Sequence, residues 1–288
     1  MSIRIDKITR GRFGNKILQY NSLIQLSNKY NVEASCVDFP QSKYFKNIVS
    51  YKNPKQEVKD LSYAMILDKK DLNFVYFNYK IDDPNYLLHN VFFELTTIQP
   101  HTFIELKDEY KVKVDNNFTN IGIHFRGGDK HRKCPHEIHN TKYYIDAIKK
   151  TKELYKNHKY ILCTDDNNFK TFKEVVVFLQ TKKINFEFGP NTKNNKNDKQ
   201  SNDKYIYDFA VLTECDIMIN SSSTFCICAS FLGKQNKKLI FSKIWIDKNI
   251  NHIYHGNPGM PKQYWESYDN FWSKLVKSKK YLIPWLII

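Results

Sequence analysis

The stretch IGIHFRGGDK, residues 121–130, sets an imidazole, a guanidinium and a carboxylate close together beside paired glycines. Ile121, Ile123 and Phe125 alternate with Gly122, His124 and Arg126, so a strand over these residues sends the imidazole and the guanidinium out of one face. Gly127 and Gly128 then permit a sharp turn and a close approach of a ligand to the backbone. An arginine at such a turn suits a bidentate grip on phosphate or carboxylate, which a lysine holds less specifically. An ordinary strand end with exposed polar residues is the competing reading of the same letters.

A second region, DIMINSSSTFCICASFLG at residues 216–233, reads as strand, hydroxyl cluster and helix. Ile217, Met218 and Ile219 form an apolar run. Ser221, Ser222, Ser223 and Thr224 supply cap-type hydroxyls, and a helix from about Phe225 stops at Gly233. Such a helix start is an anion site, because its backbone N–H groups and the positive end of its dipole favour phosphate. Simple N-capping is the plainer use of these residues, although three or four hydroxyls exceed what a cap needs. A third piece lies near the start, where Ile3 and Ile5 suggest a strand and GRFGN, residues 11–15, leads into a helix bearing Ile17, Leu18, Leu23 and Leu26. Its spacing is not GxGxxG, so it is not the dinucleotide fingerprint.

The elements that must position these groups alternate along the chain. Asn140 or Thr141 caps a helix with Tyr144, Ile148 and Tyr155 on one face, and KYILCT, residues 159–164, follows as a buried strand. Residues 169–179 read as a helix, INFEF (184–188) as a short strand, 205–214 as a helix, and KKLIFS (237–242) as the last strand. Repeated strand–helix units imply a parallel sheet covered by helices, with ligands bound outside the carboxyl ends of its strands. Arg126, Asp165 and Ser222 all fall at such ends. Between strand and helix, residues 190–204 are polar and aperiodic, which predicts a mobile surface loop, with a lid over the site as its functional use.

In order along the chain, GRFGNKILQY (11–20), HFRGGD (124–129) and NSSSTF (220–225) resemble the fucosyltransferase superfamily's GRLGNQ-like loop, HxRRxD element and NSTFSWW-like turn. The likeness is nearest the alpha-1,2-fucosyltransferase-like branch, and CTDD (163–166) resembles that branch's (F/V)SDD strand end. The chain departs from the pattern in three places. Gly127 stands where the second arginine is found, Lys16 replaces a glutamine, and Cys226 and Cys228 take positions where bulky residues are common.

The resemblance implies an α/β protein of two Rossmann-like domains facing a cleft, the GT-B-like glycosyltransferase arrangement. The boundary is expected near residue 113: residues 1–113 would form the acceptor-side domain, and residues 114–288 the nucleotide-sugar domain. A terminal helix around Trp265, Trp272 and Trp285 would pack back on the first. It further implies inverting, metal-independent transfer of fucose from GDP-fucose to a glycan hydroxyl. The donor would be held by Gly11, Arg12, Gly14, Asn15, His124, Arg126, Asp165, Ser222, Ser223, Thr224 and Phe225, with Asp208 on the guanine edge. Arg126, the hydroxyls and the helix start would stabilise the leaving diphosphate. Asp129 is the first candidate base, with Glu137 and His136 in reserve; it would equally orient Arg126 or the glycine loop. Asn15 would hold phosphate or acceptor, or cap the first helix, and Asp208 has a solvent-facing helix position as its other reading. A relative using another nucleotide sugar, and a non-catalytic nucleotide- or glycan-binding protein, remain as alternatives.

Lysine and arginine total 45 against 30 acidic residues, a formal net charge of +15. The lysines are scattered, with no arginine-rich stripe or nucleic-acid motif, so the charge reads as solvated surface that helps steer anionic nucleotide sugars. The six cysteines, Cys36, Cys134, Cys163, Cys215, Cys226 and Cys228, form no CxxC pair and read as small buried hydrophobes rather than disulfides. His131, Cys134, His136 and His139 match no common zinc spacing, and adjacent Asp165 and Asp166 point to opposite strand faces, so no metal is expected. The opening MSIRIDKITR lacks an apolar core and the apolar end YLIPWLII is shorter than the ~20 residues of a spanning helix, which predicts a cytoplasmic protein.

Overall fold

The computed structural model describes residues 2–5, 12–17, 20, 24, 33–37, 39–46, 50–51, 60–62, 65–67, 74–76, 85–89, 104–128, 138–193, 204–234, 237–240 and 242. The chain divides into two compact units, Met1–Lys107 with Gly259–Trp272, and Asp108–Pro258 with Ser273–Ile288.

In the first unit β1 (Ser2–Ile5), β2 (Glu33–Val37), β3 (Ser50–Tyr51), β4 (Asp60–Ser62) and β7 (Asn85–His89) form a five-stranded parallel sheet in the order β3-β2-β1-β7-β4. Strands β5 (Met65–Leu67) and β6 (Phe74–Tyr76) pair separately and antiparallel. The expected strand at Ile3 and Ile5 is therefore the centre of a sheet. The GRFGN segment runs into a helix at residues 13–17, as its glycine loop and apolar positions suggest. Aromatic packing fixes that helix: Phe13 stacks on Phe45 at 6.0 Å, Tyr20 stacks on Phe39 at 5.6 Å, and Ile17 is buried. Leu18, Leu23 and Leu26 lie outside the described residues.

The second unit carries β8 (Thr119–Phe125), α1 (Thr141–Leu154), β9 (His158–Thr164), α2 (Lys170–Thr181), β10 (Phe186–Phe188), α3 (Pro190–Lys193), α4 (Tyr205–Glu214), β11 (Ile217–Ile219), α5 (Thr224–Leu232) and β12 (Lys238–Ile240). Its five strands are all parallel, in the order β10-β9-β8-β11-β12. Parallel neighbours need crossovers, and the helices supply them. The order reverses between β8 and β11, which is the topological switch point where open α/β sheets bind ligands.

Every residue of β8 from Asn120 to Phe125 is buried, as a parallel sheet covered by helices leads one to expect. Both faces are covered, as parallel sheets require. On one face Ile121, Ile123 and Phe125 join Tyr144, Ile148, Phe172 and Val175 in the core. On the other, a Cβ added at Gly122 would sit 2.8 Å from Leu212 of α4 and 2.7 Å from the Met218 sulfur of β11. Asn140 caps α1 by accepting from the Tyr143 N–H at 3.0 Å.

One expectation needs correction, and one lysine stands apart from the solvated charge. Residues 190–193 are not loop but one helical turn, because the buried Asp208 carboxylate accepts from the Asn191 N–H at 2.8 Å and the Thr192 hydroxyl at 3.1 Å; residues 194–203 lie outside the described set. Lys237 is not solvated surface charge. Its ammonium is buried and donates to the Leu212, Thr213 and Ala229 carbonyls at 2.7, 2.9 and 3.1 Å, gathering the ends of α4 and α5. Cys163, Cys215, Cys226 and Cys228 are buried thiols, none of them in a disulfide. The tryptophans at 265, 272 and 285 lie outside the described residues, among which no helix is long and apolar enough to cross a membrane.

Candidate functional site

The carboxyl end of β8 delivers His124 into the interior. The ring is 4 % exposed, its Nδ1 shares a hydrogen bond of 2.6 Å with the Ser221 hydroxyl, and its face tilts against Phe225 at 5.2 Å. Burial, with the neighbouring Arg126 charge adding to it, pushes the imidazole pKa down to about 3. The ring is neutral at physiological pH and bridges β8 to the turn after β11. Two tyrosines of α1 hold the same strand ends from the core side: Tyr144 donates to the His124 carbonyl at 3.2 Å and Tyr143 to the Asn220 carbonyl at 2.8 Å.

Arg126 leaves β8 one position after its last residue and forms an ion pair with Asp165, at the corresponding place after β9. The Gly127 N–H donates to the other Asp165 carboxylate oxygen at 2.9 Å. Both glycines are required by the chain's own groups. A Cβ at Gly127 would lie 2.5 Å from the Phe169 ring, and one at Gly128 would lie 2.6 Å from an Asp165 carboxylate oxygen. The second arginine of the HxRR pattern thus has no room at position 127. Asp166 faces elsewhere, receiving the Asn168 N–H at 2.8 Å within its own turn, so the two adjacent aspartates do different work.

After β11, Ser223 caps α5 by accepting from the Phe225 N–H at 3.3 Å, while Asn220 accepts from the Ser230 hydroxyl at 2.8 Å. The Cys226 thiol donates to the Ser221 and Ser223 carbonyls at 3.2 and 3.0 Å. Ser222 is buried, and Thr224 and Phe225 are partly exposed. One cap hydroxyl is therefore used for capping and one, Ser221, for His124. In the sequence Ser221 reads as one more cap hydroxyl, and nothing local marks it as a partner of His124. Only strand pairing across 97 positions brings it to His124.

Asp208 is 3 % exposed, not solvent-facing. Burial raises its carboxyl pKa to about 6, against the lowering effect of its hydrogen bonds to Asn191 and Thr192. The Thr192 hydroxyl that donates to it also accepts from the Thr164 N–H at 2.9 Å, which ties α4 and α3 to the end of β9.

The second unit thus brings His124, Arg126, Asp165, Asp208, Ser222, Ser223, Thr224 and Phe225 to the carboxyl ends of β8, β9 and β11 or to the helices beside them. Arg12, exposed, Gly14, buried, and Asn15, partly exposed, belong to the first unit. Gly11, Asp129, His136 and Glu137 lie outside the described residues, as do His131 and Cys134 of the histidine–cysteine cluster. His139 of that cluster is buried against Tyr143 at 4.6 Å.

No protein-family model and no curated protein matches the sequence. Solved structures do match. POFUT1 in complex with GDP-fucose aligns with 83% of this chain and 96% of its own at 11% identity and a TM-score of 0.53. The chain is similar in fold to POFUT1. The POFUT1 complex with GDP gives 12% identity, coverage of 83% and 97%, and a TM-score of 0.52. Fucosyltransferase NodZ from Bradyrhizobium aligns more loosely, at 14% identity, coverage of 80% and 92%, and a TM-score of 0.46. The shared feature is a mixed α/β fold with parallel sheets, the class expected from the alternating elements.

Proposed function

We propose that the protein is a glycosyltransferase that moves fucose from GDP-fucose to a glycan hydroxyl, with inversion and without a metal ion. One observation carries the reading: at the β8/β11 switch point, the HFRGGD strand end and the NSSSTF turn meet through His124 and Ser221, with Arg126 alongside. A guanidinium, the glycine turn after β8 and the positive end of α5 then share the edge where such sheets bind ligands. That set suits the diphosphate of a nucleotide sugar, and POFUT1, similar in fold, is known in complex with GDP-fucose.

In this mechanism Arg126 and the first turn of α5 take up the negative charge that develops on the diphosphate as the glycosidic bond breaks. His124, held neutral, adds no charge of its own and fixes the distance between the two strand ends. Asp129 is proposed as the base that accepts the acceptor hydroxyl's proton. Calorimetry with GDP, UDP, CDP and ADP, with and without a chelator, tests the donor. Chelator-insensitive preference for GDP is expected, and Arg126→Ala should abolish it. Preference for UDP would replace the donor, and no nucleotide binding would overturn the transferase reading.

A further inference from the structure

We infer that Asp165 is a positioning residue, which holds the Arg126 guanidinium at the carboxyl end of β8 in the pose from which it meets a phosphate oxygen; the inference rests on the nucleotide-diphosphate reading above. The ion pair is mostly shielded, with the two side chains 14% and 22% exposed. One carboxylate oxygen takes Arg126 Nη1 and the other takes the Gly127 N–H, so the side chain and the backbone that carry the arginine are fixed by one group.

The acceptor is itself rigid. Asp165 sits on a turn in which the Thr164 N–H donates to Thr192 Oγ1 at 2.9 Å, the Asp166 N–H to Thr164 Oγ1 at 3.1 Å, and the Phe169 N–H to the Asp166 carbonyl at 3.1 Å. Gly127 is walled by Phe169, and the absence of a side chain at Gly128 is what admits the carboxylate. A long, flexible arginine stem is thereby ordered before any ligand arrives, which lowers the entropy lost on binding. Guanidinium carries five N–H donors, so pairing with a carboxylate and gripping a phosphate are compatible.

Charge and position predict opposite signs. Removing a carboxylate beside an anion site raises the positive potential, which alone would tighten an anion. Loss of positioning loosens it. Asp165→Asn keeps the size and an acceptor for the Gly127 N–H, and its binding of GDP and of inorganic pyrophosphate is measured by calorimetry at fixed ionic strength. Both ligands are expected to weaken by about tenfold, the scale on which loss of a supporting partner is felt at a bound site. Unchanged or tighter binding overturns the inference.

A second measurement does not depend on the ligand. Urea unfolding of the wild type, Arg126→Gln, Asp165→Asn and the double variant should show coupling of about tenfold in the unfolding constant. Additive effects overturn the positioning role. If the wild type binds neither GDP nor pyrophosphate, the functional reading fails, while this cycle still decides whether Asp165 holds Arg126.

Discussion

At the scale of the residue, His124 shows how position overrides side-chain type. Its letters read as a ligand-gripping group at a strand end, or as an ordinary exposed polar one, and the ring is enclosed, neutral and bonded to Ser221. Enclosure has a cost that depends on pH. The folded-state pKa is about 3 against 6.5 for the free ring, so in mild acid the unfolded chain binds a proton that the folded protein does not. The stabilisation is whole above pH 6.5 and is lost as pH falls towards 3. Unfolding free energies from urea titrations down this range should fall with a slope approaching about 1.4 kcal/mol per pH unit from this group. His124→Asn should flatten that part of the profile; an unchanged slope would assign it to other groups. Gly127 makes the complementary point: a side chain there would meet the Phe169 ring, so packing leaves room only for glycine.

At the scale of the element, α5 matters through both of its ends. Its start carries Ser223 as cap beside the candidate anion site; its end rests, with that of α4, on the buried Lys237 ammonium. A cation against terminal carbonyls also opposes the negative end of each helix dipole. Burial lowers the Lys237 pKa to about 8, so the group remains mostly charged near neutrality. Lys237→Met preserves the stem and removes a donor shared by three carbonyls, of which Thr213's keeps the Lys234 N–H at 3.1 Å, and should cost about 1–3 kcal/mol in denaturant unfolding. A loss under about 0.5 kcal/mol would mean that water satisfies those carbonyls instead. Because the helix axis is held from this end, the same variant should also weaken GDP binding.

At the scale of the whole molecule, the net charge of +15 bears on association rather than on fold. An anionic nucleotide approaching such a surface is attracted over roughly a Debye length, about 10 Å at 0.1 M salt, and that reach shrinks as salt rises. GDP association rates measured by stopped flow should therefore fall several-fold between about 0.05 M and 0.5 M salt. Dissociation rates should change less, since Arg126 and Asp165 are largely shielded from solvent. A salt-independent association rate would show that the lysines do not steer the ligand.

The sequence by itself determined the local grammar of the second unit. Asn140 as a helix cap, Gly233 as a helix stop, the helix at 205–214 and the strand at 217–219 follow from cap chemistry and apolar runs, which act over a few residues. It also placed His124, Arg126, Asp165 and the serine turn at one sheet edge, because parallel strand ends gather there. Only the tertiary structure decided which of them touch. The partners of His124, Arg126 and Lys237 lie 97, 39 and up to 25 positions away in the chain, or span separate elements, and no local pattern specifies such pairs. The burial of Asp208 and Lys237 was illegible for the same reason: an isolated charged letter reads as solvated until neighbouring elements supply the donors and carbonyls that let it go inside.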